Sequence, residues 1–193
     1  MPQNQVRHAA LISGNLRAEP GEKRYLEGYF AVFNNRTQLW PGVYEEVDPE
    51  AFNETMGNDI RVLINHDTTL VLGRNKSGTA EFKIDARGLW GRVEINEKDS
   101  DAVNAYERVQ RGDVDQCSFG FNILDEEIEY LDNGDVVFRL KKVDLHEGSI
   151  CTFPAYPETS IQARQKDLEM HKRREIELKK AKIRTRLGGK KNA

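Results

Sequence analysis

Asp113-Val114-Asp115-Gln116-Cys117-Ser118-Phe119-Gly120-Phe121 is the stretch on which the reading of this chain turns. Its last five residues alternate large apolar with small. Strand side chains alternate faces, so Cys117, Phe119 and Phe121 are expected on one face and Ser118 and Gly120 on the other. A serine beside a glycine, on a strand braced by two phenylalanines, reads as an accessible hydroxyl on a rigid support. A hydroxyl is a weak nucleophile and needs a base. Without one, a strand-end serine facing water is the ordinary reading. By the same parity Cys117 is a packed core thiol rather than a nucleophile.

Working outward, residues 100–110 suit a helix, with Ala102, Val103, Tyr106 and Val109 on neighbouring faces and Gly112 as its stop. On the other side, residues 126–131 and 136–140 flank Asp132-Asn133-Gly134-Asp135, whose Asn-Gly signals a hairpin. Residues 142–153 read as a last long strand, stopped by Pro154 and Pro157. Residues 6–17, 24–33, 43–47, 61–67, 71–73, 78–84 and 89–95 read as further strands. Asp48 as N-cap with Pro49 at the first helical position predicts a short helix ending at Gly57. Many short strands with two short helices imply a mainly β (α+β) fold, a closed or nearly closed β-barrel with helices outside.

Charge divides the chain. Residues 164–193 hold 12 Lys/Arg and 4 Asp/Glu, a local charge of +8, against 17 Lys/Arg and 28 Asp/Glu, or −11, over the rest of the 193 residues. This predicts a β domain over residues 1–162 and a basic, helical or disordered tail over 163–193. The tail's apolar points Leu168, Ile176, Ile183 and Leu187 are too widely spaced for a stripe. It has no aromatic residue to stack on bases and the body is acidic, so no specific nucleic acid is expected as partner. No run is long and apolar enough to predict a membrane span. Met1-Pro2-Gln3-Asn4-Gln5 leads into no apolar stretch of signal length, so no export signal is expected. Cys117 and Cys151 are too few for a disulfide framework and are expected reduced.

Three positions combine into candidate chemistry. His66 closes an apolar run and shares parity with Val62 and Ile64. Glu147 shares parity with Val143 and Leu145, which puts a carboxylate on an otherwise apolar face, costly unless paired. His146 and Asp144 take the opposite face. Ser118, His66 and Glu147 on three strands could serve as nucleophile, base and orienter of a serine hydrolase. Asp67 points away from His66 and is expected to cap the turn Asp67-Thr68-Thr69. A metal site from His66, Asp67, His146 and Glu147 lacks any supporting ligand spacing.

Five blocks carry a resemblance: Asn65-His66-Asp67; Val71-Leu72-Gly73-Arg74; Gly88-Leu89-Trp90; residues 111–121 through Ser118-Phe119-Gly120-Phe121; and residues 145–158, Leu145-His146-Glu147-Gly148-Ser149 running on to Thr152-Phe153-Pro154-Ala155. Over about residues 8–164 the chain resembles the prohead maturation proteases of tailed bacteriophages, which are similar in fold to the herpesvirus capsid protease, assemblin. The resemblance implies a β-barrel serine endopeptidase with Ser118 as nucleophile, His66 as base and Glu147 as third member. The assemblin relatives use a second histidine there, which makes His146 the rival. Gly148 stands where the family often has a β-branched residue. Backbone N–H groups are the expected oxyanion donors. The implied substrates are scaffold protein, or the scaffolding segment of the major capsid protein, and the protease itself. The implied setting is the interior of the immature capsid in the host cytoplasm, with no metal or cofactor, and a homo-oligomer is compatible with it. A non-catalytic scaffolding protein on the same barrel is the alternative.

Overall fold

The computed structural model describes residues 7–11, 16–153 and 158–188, with side chains over 16–153 and 164–184. In chain order the elements are β1 (Arg7–Leu11), β2 (Arg17–Glu19), β3 (Tyr25–Val32), β4 (Thr37–Trp40), β5 (Val43–Val47), β6 (Arg61–Ile64) and β7 (Asp67–Arg74). They continue with β8 (Ala80–Ile84), β9 (Gly88–Glu94), α1 (Ser100–Arg111), β10 (Gln116–Tyr130), β11 (Val136–Cys151) and α2 (Glu158–Gly188). The chain divides into two compact units, residues 1–156 and 157–193.

The first unit is built from two sheets. One runs β1-β10-β11-β5-β4, with β6 on β11 and β7 on β6; the other runs β2-β3-β9-β8. The fold is therefore mainly β with two helices, but the pairing among the described residues does not close into the expected barrel. The reason lies in β11. One edge pairs with β10, while the other is shared end to end by two parallel strands, β5 along Val136 to Leu140 and β6 along Glu147 to Ile150. Between the two sheets the described backbone makes one isolated bridge, Phe33 to Val47.

The gap between β5 and β6 is filled by residues 48–57, predicted as a helix. They form successive i→i+3 turns instead, with Ala51 N–H bonded to Asp48 O, Asn53 to Glu50 O and Thr55 to Phe52 O. Asp48 accepts from Glu50 N–H as a cap would, but its carboxylate also pairs with Lys141. Asp48 N–H reaches Leu140 O and Val143 N–H reaches Ala51 O, so sheet-edge bonds hold the segment away from helical geometry. Phe52, fully buried, packs edge-on against Phe119 at 5.4 Å between ring centroids, and Phe119 stacks on Phe121 at 4.8 Å. Burying each such ring contributes about 2–3 kcal/mol, which fixes the core face of β10.

Phe30 packs between the two sheets. A register shift between Tyr29 and Ala31 makes it the extra residue of a bulge on β3. A Cβ at Gly91 would lie 2.5 Å from its ring, and one at Gly148 2.6 Å. Gly148 thus seats a core aromatic across the sheets, where a β-branched side chain would meet the Phe30 ring.

Helix α1 follows its sequence signals. Asp99 caps it by accepting from Asp101 N–H, Gly112 ends it at φ 82°, and Ala102, Ala105, Tyr106 and Val109 are buried. Residues 6–17, expected as one strand, supply β1 to one sheet and β2 to the other, and residues 12–15 lie outside the described residues. So do Pro154 and Pro157, the predicted stop after β11. In the second unit, α2 starts earlier than the tail predicted from residue 163. Met170, Ile176, Leu178 and Ile183 are exposed, and Lys180–Glu177 (2.8 Å) and Lys179–Glu175 (3.9 Å) pair along it. Among the described residues no helix is long and apolar enough to cross a membrane.

Candidate active site

The serine strand behaves as its alternation predicts. Cys117, Phe119 and Phe121 are buried in the core. On the opposite face of β10, Ser118 stands between Ala10 on β1 and Ser149 on β11, and Gly120 faces Glu147. Ser118 is not the open hydroxyl expected: it is 1% exposed.

Glu147 arrives on this face by a route the sequence does not show. Gly120 pairs with Glu147 but Phe121 pairs with Leu145, which leaves His146 as an extra residue. This bulge inverts the alternation. Leu145 and Gly148 point into the core with Phe121 and Phe119, while Glu147 and Ser149 point to the Ser118 side. The predicted parity of Glu147 with Leu145 is therefore wrong. Gly120 makes room: a Cβ there would collide with Glu147 Oε1 and lie 3.0 Å from its Cδ.

His66 is not on a strand either. Strand β6 ends at Ile64, Ile64 pairs with Asp67, and Asn65 and His66 form the two-residue turn between β6 and β7 at φ 50° and 61°. Positive φ at both positions is the type I′ hairpin arrangement, which asparagine tolerates better than histidine. The turn is held by β11. Asn65 N–H bonds Ile150 O (2.9 Å), Thr152 N–H bonds Asn65 Oδ1 (3.0 Å) and His66 N–H bonds Ser149 Oγ (3.1 Å). Asp67 accepts from Thr69 N–H and Oγ1–H at 2.8 and 2.6 Å, as its turn-capping role predicts.

The imidazole then meets the carboxylate. His66 Nδ1 lies 2.6 Å from Glu147 Oε1, with the side chains 18% and 8% exposed. Ser149 Oγ–H donates to Glu147 Oε2 at 2.6 Å. With the carboxylate ionised this network assigns the proton to Nδ1 and leaves Nε2 as the basic lone pair. Nε2 faces Cys151 Sγ at 3.8 Å. Burial, and then the charge of Glu147, push the Cys151 thiol up to about 12, so it stays protonated at neutral pH. Burial likewise drives the Cys117 thiol far above its ordinary value. Neither cysteine has thiolate character.

His146 is engaged elsewhere. Asn122 Nδ2 donates to its Nε2 at 2.8 Å, and Asp144 Oδ2 is 3.6 Å away. Around the pair opens a cleft of about 430 Å³ lined by Arg61, Leu63, His66, Thr68, Val71, His146 and Glu147. Arg61, beside Glu147 in the ladder, pairs with Asp59, and Arg74, hydrogen-bonded to the same carboxylate, holds Asp59 below the usual carboxylate range.

The family described as caudovirus prohead serine protease matches residues 13–174. This chain belongs to that family. It is 30% identical over 147 residues to the prohead protease of Enterobacteria phage HK97. That alignment covers 74% of this chain and 61% of the relative, so the chain spans about three fifths of the curated protein it matches. The bacteriophage T4 capsid assembly protease aligns in three dimensions with TM-score 0.42 and 12% identity, covering 76% of this chain and 99% of that one. Within the matched span, Ser118-Phe119-Gly120-Phe121 falls on β10 and Asn65-His66-Asp67 on the β6–β7 turn.

Three residues of the cluster escaped the sequence reading: Asn65 and Ser149 as anchors of His66, and Gly120 as the space for Glu147. Each lies inside a quoted motif. The signal was the motif itself, and what was missing was the pairing partner.

Proposed function

We propose that this chain is a serine endopeptidase of prohead maturation, with Ser118 as nucleophile, His66 as general base and Glu147 as its orienting carboxylate. The observation that carries the reading is the 2.6 Å contact between His66 Nδ1 and Glu147 Oε1 on the sheet face that also bears Ser118. Ser118 Oγ attacks the peptide carbonyl as His66 Nε2 takes its proton. The imidazolium is stabilised by Glu147 and returns the proton to the departing amine. Water, activated by the same nitrogen, then hydrolyses the acyl-enzyme. Of the two candidates for third member, Glu147 is favoured by its contact with Nδ1, since His146 is hydrogen-bonded to Asn122 and lies beside Asp144 instead.

Family membership supports the substrate class: scaffold protein, or the scaffolding segment of the major capsid protein, inside the immature capsid. The protease also cuts itself between residues 156 and 191, separating the β domain (1–162) from the basic tail (163–193). The ends of that interval lie outside the described residues. An extended backbone is what a strand-built site can take up, so the cut falls outside the body of α2 or follows its local opening.

The test is coexpression of the chain with the major capsid protein of the same phage. Mass spectrometry is expected to find a truncated capsid protein and a shortened protease, and neither with Ser118→Ala. Truncation that persists with folded Ser118→Ala assigns the cutting to host proteases. No truncation in either would leave a scaffolding protein on a protease fold.

A further inference from the structure

We infer that Ser149 is a positioning residue of the same site, a relay that fixes both members of the His66–Glu147 pair; the inference rests on the catalytic reading given above. Ser149 is 0% exposed and lies directly across the ladder from Ser118. Its hydroxyl has two jobs at once. It donates to Glu147 Oε2 at 2.6 Å, and it accepts the backbone N–H of His66 at 3.1 Å. A hydroxyl has one proton and two lone pairs, so both bonds can be made together.

The two bonds act on different problems. Glu147 is 6% exposed, and a buried carboxylate is costly unless each oxygen has a donor. Ser149 supplies the donor for Oε2, which leaves Oε1 for His66 Nδ1. His66 sits at φ 61°, a backbone conformation unfavourable for a side chain of its size, and needs outside bonds to hold it there. Ser149 supplies one of them. Removing the hydroxyl therefore loosens the carboxylate rotamer and the turn together.

The role predicts a pH signature. Among the described residues, the titratable and charged groups of the site beside Glu147 are His66 from the β6–β7 turn, Arg61 from β6, and His146 and Cys151 from β11 itself; β10 opposes it with Gly120. The Ser149 bond favours the ionised carboxylate beside a neutral imidazole. Without it, the His66–Glu147 pair takes up its first proton at higher pH, whichever partner holds that proton. The acid limb of the rate profile moves upward.

The experiment measures initial rates of capsid-protein processing by the full-length protease across about pH 5 to 9, for wild type, Ser149→Ala, Ser149→Cys and Ser149→Thr. Folding of each is checked by circular dichroism. Ser149→Ala and Ser149→Cys are expected to lose about ten- to a hundredfold in rate, with the acid limb displaced to higher pH. Cysteine keeps the volume but is a poor donor, so it guards against a packing explanation. Ser149→Thr restores the hydroxyl and is expected to recover most of the rate and the wild-type limb. The low-field Nδ1–H resonance of His66 should shift or broaden in the alanine variant and return in the threonine one. Wild-type rate and limb in folded Ser149→Ala or Ser149→Cys would overturn the relay. So would a loss equal at every pH, which marks a packing role. Failure of the catalytic reading is separate: processing at wild-type rate by Ser118→Ala or Glu147→Gln would remove the triad whatever Ser149 does.

Discussion

The two ends of β11 are built on opposite plans. Over residues 136–140 the strand runs in unbroken register with β10 on one side and β5 on the other, and Val136, Val137, Phe138 and Leu140 are buried. Over residues 145–151 it gains an extra residue at His146, changes partner to β6, and buries Glu147 and Ser149 on the face that bears Ser118. The regular end contributes stability through area removed from water. The bulged end gives up regularity to turn a carboxylate onto the serine face. What the contrast teaches is that one inserted residue suffices to move a side chain from one face of a strand to the other, because the side-chain period is two.

The comparison is broken most severely at the catalytic atoms. Ser118→Ala and His66→Ala are each expected to cut processing by about 10⁶-fold, since members of a triad act as a unit, with thermal unfolding little changed. Initial-rate assays beside melting curves check both; a difference of several decades between the two variants would argue against a shared mechanism. Glu147→Gln should cost less, about 10⁴-fold. His146→Gln should cost under about tenfold by the same non-additive logic. If His146→Gln proved the more damaging of that pair, the Ser-His-His arrangement of the assemblin relatives would be the better description.

Glycines sharpen the contrast. Gly120→Ala pushes a methyl into Glu147 Oε1 and is expected to lower the rate about 100-fold, because a misplacement of about 1 Å has that cost. Gly134→Ala acts at the regular end, where φ is 88° in the hairpin turn and a Cβ meets nothing. It should cost about 1–2 kcal/mol of stability and leave the rate unchanged. Denaturant midpoints read against initial rates separate the two; equal rate losses would mean that strand geometry, not Glu147 placement, limits catalysis.

How far the sequence carried the reading can be seen residue by residue. The faces of Cys117, Phe119 and Ser118 were legible because β10 is regular there. Glu147 was reached from a parity with Leu145 that the bulge reverses, and His66 from a strand that is a turn. The resemblance pointed to the same residues, while the periodicity arguments offered for two of them fail. The helix predicted after Asp48 shows the same limit: its cap signal is real, and the bonds of Asp48 to Leu140 and of Ala51 to Val143 override it.

By itself the sequence determined what depends on neighbours a few residues away: the alternation of β10, the capped helix α1, the Asn-Gly hairpin and the family blocks. The tertiary structure decided what depends on a partner far along the chain. Ser149 meets the His66 backbone across 83 residues, and Glu147 meets its ring across 81. Bulge, turn and carboxylate rotamer are each set by those distant bonds. A short window contains only one side of each bond, so periodicity read along it could not place them.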